Sequence, residues 1–315
     1  MEESRPFMDQ LAGATQQRGN PVVVGIDPRL GSLPDALTCN LDVSDPSRVA
    51  EAYRQFSCGI VDAVAQHVPA IKPQMAFFEQ LGPAGMQALL DVIVHAQNQG
   101  LLVVLDGKRN DIGSTAEAYA QAYLGRRPHT VWGGDALTVS PYLGDDSLEP
   151  FVSACVKHAA GIFVLVKTSN PGGKTFQDLT ASDKTIFEHV ADVVERMASE
   201  TVGTCGYGAV GAVAGATYPE QLGELRARMP HTWFLVPGFG AQGGGAADVA
   251  GAFDERGLGA TINSSRGIIF AQRREPYSGR YSDAQWQEAA EAATLDMISA
   301  LRAETRCSQL GNSAD

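Results

Sequence analysis

Short apolar runs rich in β-branched residues recur along the chain and predict eight strands. They cover residues 22–26, 70–78, 101–105, 136–139, 162–166, 210–214, 233–236 and 260–262. Segments with helical spacing lie between them, at residues 49–65, 85–97, 115–124, 147–158, 184–198, 219–227 and 246–253, and an amphipathic stretch at 284–302 follows the last strand. Strands that are apolar on nearly every residue, each followed by a helix, indicate a parallel sheet covered by helices.

Eight strand–helix repeats favour a closed (β/α)8 TIM barrel over the alternative, an open doubly wound sheet, which usually has five to seven strands. No composition shift or linker marks a second domain, so we expect one catalytic domain over residues 1–307 with an N-terminal helix. We expect residues 308–315 to form a frayed tail. Two stretches look inserted, at 27–45 and 170–183, and the second is either a lid or a plain surface loop.

Composition narrows the functional classes. The formal charge of −12 argues against a broad surface for nucleic acid or anionic membrane, so a phosphate-bearing ligand must be held locally. The five cysteines are scattered and form no CxxC pair, which indicates neither a disulfide framework nor a zinc site. The N-terminus lacks the features of a signal peptide, and no apolar run approaches the roughly 20 residues of a membrane helix. We therefore expect a soluble, cytoplasmic protein.

Reactive groups of a (β/α)8 barrel lie where the strands end, so the polar residues that follow each apolar run are the candidates. They are Asp27, Lys72, Asp106, Lys108, Asp111, Ser140, Lys167, Thr168, Ser169, Gln242 and Arg266.

The segment LDGKRNDIGST carries the sharpest signal. Alternation at a strand end places Asp106 and Lys108 on the same side, facing the barrel mouth, with Asp111 a few residues beyond. Two carboxylates beside one ammonium favour the charged forms, and such a site can repel an anion and deliver a proton. The alternative is a salt-bridged strand terminus, because surface ion pairs are common.

The segment VPGFGAQGGG follows the seventh predicted strand, and its Gly238, Gly240 and Gly243 have GxGxxG spacing. Its place late in the chain argues against a dinucleotide fold, whereas barrels cradle phosphate after strands seven and eight. Gln242 can add a side-chain donor, and Arg266 of the next strand end can bind phosphate in a two-pronged geometry. For Arg266 alone, a salt bridge at the barrel end is the alternative.

Lys167, Lys72 and Lys108 are also open to a second interpretation, because a lysine at a barrel strand end can form a Schiff base in aldolases. The six histidines show no HxH or HExxH spacing, so the sequence does not indicate a histidine-bound metal.

These motifs together resemble a known family. LDGKRNDIGST is similar to the Asp-x-Lys-x-x-Asp-Ile-x-x-Thr signature of the orotidine 5′-phosphate decarboxylases, particularly their longer bacterial branch. AIKPQMAFFE, VKTSNPGG, VPGFGAQGGG and NSSRGI also match in the expected order. The resemblance implies a cofactor-free, metal-free carboxy-lyase of pyrimidine biosynthesis that acts on orotidine 5′-monophosphate.

The resemblance also implies roles. Lys108 would donate a proton to C6 of the pyrimidine, Asp106 would lie against the scissile carboxylate, and Lys72 and Asp27 would hold the ribose hydroxyls and extend the charge chain. Ser169 would contact the pyrimidine, and Gln242 and Arg266 would bind the phosphate. Asp111, Ile112 and Thr115 would act in the neighbouring subunit's site, which requires a homodimer. The long insertions depart from shorter members, so the contacts of residues 170–183 are not predicted.

Two further alternatives remain. One is a sister group of barrels that shares Asp-x-Lys-x-x-Asp but uses magnesium on sugar phosphates. The nucleotide branch is favoured over this sister group by Ile112, Thr115 and the two glycine-containing motifs after strands five and seven. The second alternative is a nucleotide-binding barrel without catalytic activity. The presence of Lys72, Asp106, Lys108 and Asp111 counts against it, since binding alone does not need them.

Overall fold

The computed structural model describes residues 5–215, 219–239 and 245–311. Within them, eight parallel strands close into a barrel, each paired with its neighbours in chain order and the first with the last. The strands are β1 Val22–Ile26, β2 Ala70–Pro73, β3 Leu102–Arg109, β4 Ala136–Val139, β5 Gly161–Lys167, β6 Val210–Ala214, β7 Phe234–Pro237 and β8 Ala260–Ser264. The predicted (β/α)8 barrel is thus confirmed.

Helices pack around the barrel and at its two ends, and the strands are buried on both faces. The helices are α1 Phe7–Arg18, α2 Asp35–Thr38, α3 Pro46–Val64, α4 Ala76–Glu79, α5 Gly82–Asn98, α6 Gly113–Tyr123, α7 Glu149–His158, α8 Lys174–Gln177, α9 Ile186–Ser199, α10 Pro219–Arg228, α11 Arg266–Ile269 and α12 Trp286–Glu304. No helix among the described residues is both long enough and apolar enough to cross a bilayer.

Local chemistry sets several helix starts. Asp45 accepts a hydrogen bond from the Ser47 amide, and Pro46 occupies the first turn, so α3 begins three residues before the predicted start. A capping box between Thr185 and Glu188 begins α9.

Helix α1 closes the N-terminal end of the barrel. Phe7 is fully buried against Gly161 at the start of β5 and makes an edge-to-face contact with Phe163, at 6.2 Å between ring centroids. Asp9 accepts hydrogen bonds from both Thr204 and Cys205 in the loop before β6. The opposite end, where the strands terminate, is therefore the open mouth.

Three predicted elements were wrong in detail. The run 70–78 is a strand only over Ala70–Pro73, after which Ala76–Glu79 form a helix that packs on α5. Residues 246–253 form a 3-10 helix over Ala247–Ala252 rather than an α-helix. The predicted frayed tail starts too early, since Arg306–Gln309 form a 3-10 helix and Leu310 is buried. Residues 312–315 of that tail lie outside the described residues.

The inserted stretch after β5 has structure of its own. A 3-10 turn at Pro171–Gly173 leads into α8, and Thr180–Ala181 pair in antiparallel fashion with Lys184–Thr185. The segment is therefore a helical turn followed by a small hairpin beside the mouth.

Candidate active site

Two lysines meet one aspartate at the carboxyl ends of β2 and β3. Lys72 Nζ lies 2.6 Å from Asp106 Oδ2, and Lys108 Nζ lies 2.6 Å from Asp106 Oδ1. The side chains of Lys72 and Asp106 are only 6% and 9% exposed, whereas that of Lys108 is 48% exposed. Asp106 and Lys108 thus share one side of the strand end, and the burial distinguishes this network from a surface salt bridge. Lys108 presents its ammonium to the mouth.

Two uncharged side chains complete the surroundings of Asp106. Gln74 Nε2 donates to Oδ2 at 3.0 Å, and Thr138 Oγ1 donates to Oδ1 at 2.9 Å. Burial alone would raise the pKa of Asp106, but Lys72 and Lys108 outweigh it and hold that pKa far below its ordinary value. For Lys72, burial would lower the pKa, but Asp106 and Asp27 raise it above the ordinary value. Both groups are therefore ionised at neutral pH.

Sequence reasoning missed Gln74 and Thr138. Gln74 sits within a run that we predicted to be strand, and Thr138 lies inside the apolar strand β4. An isolated polar residue at an inward-facing strand position is the only signal that could have indicated Thr138.

The end of β3 is irregular where it carries Lys108. Leu105 pairs with Leu137 and Arg109 pairs with Val139, so three residues of β3 lie opposite Thr138 alone. Lys108 has a φ of 47°, in the left-handed region that L-residues with a side chain seldom adopt. The bulge re-aims the Lys108 side chain, a common role of bulges beside active sites.

Asp27 follows β1 on the other side of Lys72. Burial raises its pKa, an effect that Lys72 opposes and Asp106 reinforces, while a hydrogen bond with Ser265 lowers it. Its Oδ1 atom is buried and has no hydrogen-bond partner among the described residues. Asp27 therefore has a free acceptor beside the lysine network.

The structure does not bring Asp111, Ile112 and Thr115 to this network. Asp111 Oδ1 accepts from the Ile112 amide at 2.8 Å, and no ion pair joins Asp111 to Lys72 or Lys108 in the described chain. Ile112 is 57% exposed, and Thr115 is exposed in the first turn of α6. Ile112 and Thr115 are therefore exposed to solvent, and Asp111 is partly exposed.

Two of the remaining predicted contacts, Ser169 and Arg266, lie just after the ends of β5 and β8. Ser169 follows β5, and Gly215 after β6 packs so closely that a Cβ there would lie 3.0 Å from Ser169 Cβ. Arg266 is the first residue of α11 and is exposed, with no ion-pair partner in the described ranges. Gln242, Gly240 and Gly243 lie outside the described residues.

Lys167, the rival Schiff-base lysine, is engaged elsewhere. It is buried at the end of β5, where it pairs with the Asp178 carboxylate and lies 4.7 Å from the centroid of the Phe187 ring. Gln177 also reaches back to β5, accepting from the Thr168 amide at 3.0 Å. Lys167 therefore holds the inserted segment against the barrel.

Among the described residues, no group of three or more His, Cys, Asp or Glu side chains could hold a metal ion. A (β/α)8 barrel with two lysines around one buried aspartate at the carboxyl ends of its strands defines a barrel enzyme that works through ionised side chains.

Comparisons with known proteins identify the family of barrel enzymes to which the chain belongs. The family model described as orotidine 5′-phosphate decarboxylase / HUMPS matches residues 35–278. An orotidine 5′-phosphate decarboxylase of Rhodopirellula baltica is 57% identical over 298 residues, 94% of this chain and 99% of the relative. The chain belongs to the orotidine 5′-phosphate decarboxylase / HUMPS family.

Solved structures agree with the family assignment. A putative orotidine 5′-phosphate decarboxylase from Streptomyces avermitilis is 35% identical with a TM-score of 0.74, covering 94% of this chain and 96% of that one. The Leishmania donovani OMP decarboxylase is 32% identical with a TM-score of 0.71, covering 95% and 98%. The likeness extends over almost the whole chain in both.

Proposed function

We propose that this protein decarboxylates orotidine 5′-monophosphate to uridine 5′-monophosphate and CO₂, with Lys108 as the proton donor to C6. The observation that carries the proposal is the network in which Asp106 holds Lys108 and Lys72 at 2.6 Å each at the barrel mouth. The 57% identity to a decarboxylase, rather than to a sugar-phosphate enzyme, supports the nucleotide branch of the family.

The chemistry follows from the charges. When the bond between C6 and the carboxylate breaks, its electron pair remains on C6 as a carbanion and neutral CO₂ leaves. Lys108 then gives one proton from Nζ to C6, forming uridine 5′-monophosphate, and the neutral amine regains a proton from water. An ammonium that is already in place stabilises the developing carbanion without reorganisation.

Asp106 has two roles in this scheme. Its carboxylate fixes Lys108 and, being ionised, opposes the substrate carboxylate at C6 until that group leaves as neutral CO₂. Two like charges about 4 Å apart repel by about 4 kcal/mol at an effective dielectric of about 20. Enzymes of great catalytic power lower barriers by roughly 20 kcal/mol, so this repulsion is one contribution among several.

The rest of the substrate would span the mouth. Asp27 and Lys72 would hold the ribose hydroxyls, for which the free buried acceptor on Asp27 is suited. Ser169 would contact the pyrimidine, and Arg266 and Gln242 would bind the phosphate. The exposed guanidinium of Arg266 is available for a two-pronged phosphate contact. The proposal includes a cytoplasmic location, where a soluble nucleotide is accessible.

The proposal also includes a homodimer in which Asp111, Ile112 and Thr115 complete the partner's site. The 57% exposure of Ile112 and the separation of Asp111 from its own lysine network support this arrangement. Mixing inactive Lys108→Ala with inactive Asp111→Asn should restore activity, since a hybrid dimer has one intact site. Random pairing in two-fold dimers gives about a quarter of the wild-type sites. No recovery after subunit exchange would refute the action in trans.

The decarboxylation itself is tested by the loss of ultraviolet absorbance of orotidine 5′-monophosphate, with excess EDTA present. We expect turnover by the wild type, its collapse in Lys108→Ala, and full activity in the surface control Lys157→Ala. No turnover by folded wild type would refute the proposal. EDTA-sensitive turnover of a sugar phosphate would favour the magnesium-dependent group, and borohydride trapping of a lysine would favour the aldolase.

A further inference from the structure

We infer that Thr138 is a positioning residue that fixes both Lys108 and Asp106 for the proposed decarboxylation, an inference that rests on that proposed function. Thr138 lies in the middle of β4 and is 1% exposed. It has no place in the sequence motifs, and its side chain meets the lysine network from the neighbouring strand.

The two hydrogen bonds of the Thr138 hydroxyl have a fixed direction. It donates to Asp106 Oδ1 at 2.9 Å, because an ionised carboxylate can only accept. It accepts from the backbone amide of Lys108 at 3.0 Å, because an amide N–H can only donate. One hydroxyl therefore links the carboxylate to the backbone from which the Lys108 side chain projects.

The bulge explains why Lys108 needs this partner. Between the pairs Leu105–Leu137 and Arg109–Val139 the β3–β4 ladder is interrupted. The Thr138 side chain takes the place of a ladder acceptor for the Lys108 amide. Lys108 also has a left-handed φ of 47°. An L-residue with a side chain leaves this conformation unless other contacts restrain it. The hydrogen bond from the Lys108 amide to Thr138 is one restraint on that conformation.

The carboxylate is restrained at the same time. Asp106 receives four donors, from Lys72, Gln74, Lys108 and Thr138. Thr138 and Lys108 share Oδ1, so the hydroxyl sets the angle at which that oxygen meets the Lys108 ammonium. Without the Thr138 hydroxyl, the Lys108 backbone amide loses its hydrogen-bond acceptor and Asp106 Oδ1 loses one of its two donors. A displacement of about 1 Å in a reacting group can cost about 100-fold in rate.

The test compares Thr138→Val, which keeps the shape and removes the hydroxyl, with Thr138→Ser, which keeps the hydroxyl. The control is Thr261→Val in β8, another buried threonine, whose hydroxyl donates to the Phe234 carbonyl away from the network. Decarboxylation kinetics are measured for each, with the dissociation constant of uridine 5′-monophosphate and the melting temperature.

We expect kcat of Thr138→Val to fall about 10- to 100-fold, while KM and product affinity stay within about 3-fold, because the hydroxyl contacts the Asp106 carboxylate and the Lys108 backbone and none of the proposed phosphate contacts. Thr138→Ser should recover kcat to within about 3-fold of wild type. A purely structural role would lower the melting temperature without separating kcat from KM.

Three results would overturn the inference: an unchanged kcat in Thr138→Val, an equal loss in Thr138→Ser, or an equal loss in Thr261→Val. If Thr138→Val does not fold, Thr138→Ala against Thr138→Ser decides the same question. A wild-type protein without activity would instead refute the proposed function, on which this inference rests.

Discussion

Replacing Lys72 by methionine tests the electrostatic account of the site. Lys72 Nζ and Asp106 Oδ2 are 2.6 Å apart, which at an effective dielectric of about 20 corresponds to an attraction of about 6 kcal/mol. The cost of burying both charges offsets much of this attraction. Removing one partner of a buried pair costs about 3–5 kcal/mol. Since Asp106 keeps Lys108, Gln74 and Thr138, we expect a loss in the free energy of unfolding near the lower limit, about 3 kcal/mol.

The loss should depend on pH through Asp27. Burial already raises the pKa of Asp27, and Lys72 is the main group that opposes the rise, so the substitution raises this pKa further. A carboxyl whose folded pKa exceeds its unfolded value stabilises the fold below the unfolded value, about 3.9, and loses that contribution as the pH rises through the folded pKa. The destabilisation by Lys72→Met should therefore be larger at pH 8 than at pH 5.

Urea unfolding followed by tryptophan fluorescence at pH 5 and pH 8 measures both effects. The matched control is Lys184→Met, which removes a lysine that lies 2.7 Å from Asp192 with its side chain 36% exposed. A surface pair of that kind contributes about 0–1 kcal/mol. A loss in Lys72→Met no larger than in the control, or a loss equal at the two pH values, would refute the reasoning.

Three other outcomes follow from the described contacts. Asp9→Ala should lower the free energy of unfolding by about 2 kcal/mol at pH 7. Burial opposes ionisation of Asp9, but its hydrogen bonds hold its pKa below the ordinary value. Chemical denaturation should therefore show this loss shrinking as the pH falls through the pKa of Asp9. A thiol reagent at pH 7.5 should label one cysteine of the native protein, the exposed Cys39. Burial raises the pKa of Cys58 to about 11 and that of Cys205 to about 12, and Cys155 and Cys307 are buried. Rapid labelling of a second thiol would contradict this expectation. Arg266→Ala should lower kcat/KM for orotidine 5′-monophosphate about 10- to 100-fold, with Arg266→Lys between the two, and unchanged steady-state kinetics would remove Arg266 from phosphate binding.

The barrel could be predicted from the sequence because buried parallel strands have a simple signal, a short apolar run followed by a helix. The predicted length of the second strand was wrong because the prediction relied on the same apolar signal. Met75 to Phe78 continue the apolar run, yet Ala76–Glu79 are helical, and periodicity cannot separate a short buried helix from a strand. The hairpin at residues 180–185 was not predicted, since its two-residue strands contain no apolar run and are too short to show alternation.

At the site, the placement of Asp106 and Lys108 on one side of a strand end could be predicted from their spacing. The place of Lys72 followed only from the family resemblance, and the structure has it against the same carboxylate. Thr138 could not be predicted, because its importance depends on the register between β3 and β4 and on the bulge that it faces. Asp111 stays apart from the network in a single chain, and its role remains a prediction that depends on a second subunit.

The left-handed backbone at Lys108 has a consequence for protein engineering. A residue with a side chain costs about 1–2 kcal/mol in that conformation, which glycine adopts freely. A search for thermostable variants that scores backbone conformation alone would therefore select glycine at position 108 and delete the amine that we propose as the proton donor. The proposed role of Lys108 would account for this local strain, so stabilising substitutions should be sought on the outer helices and kept away from the end of β3.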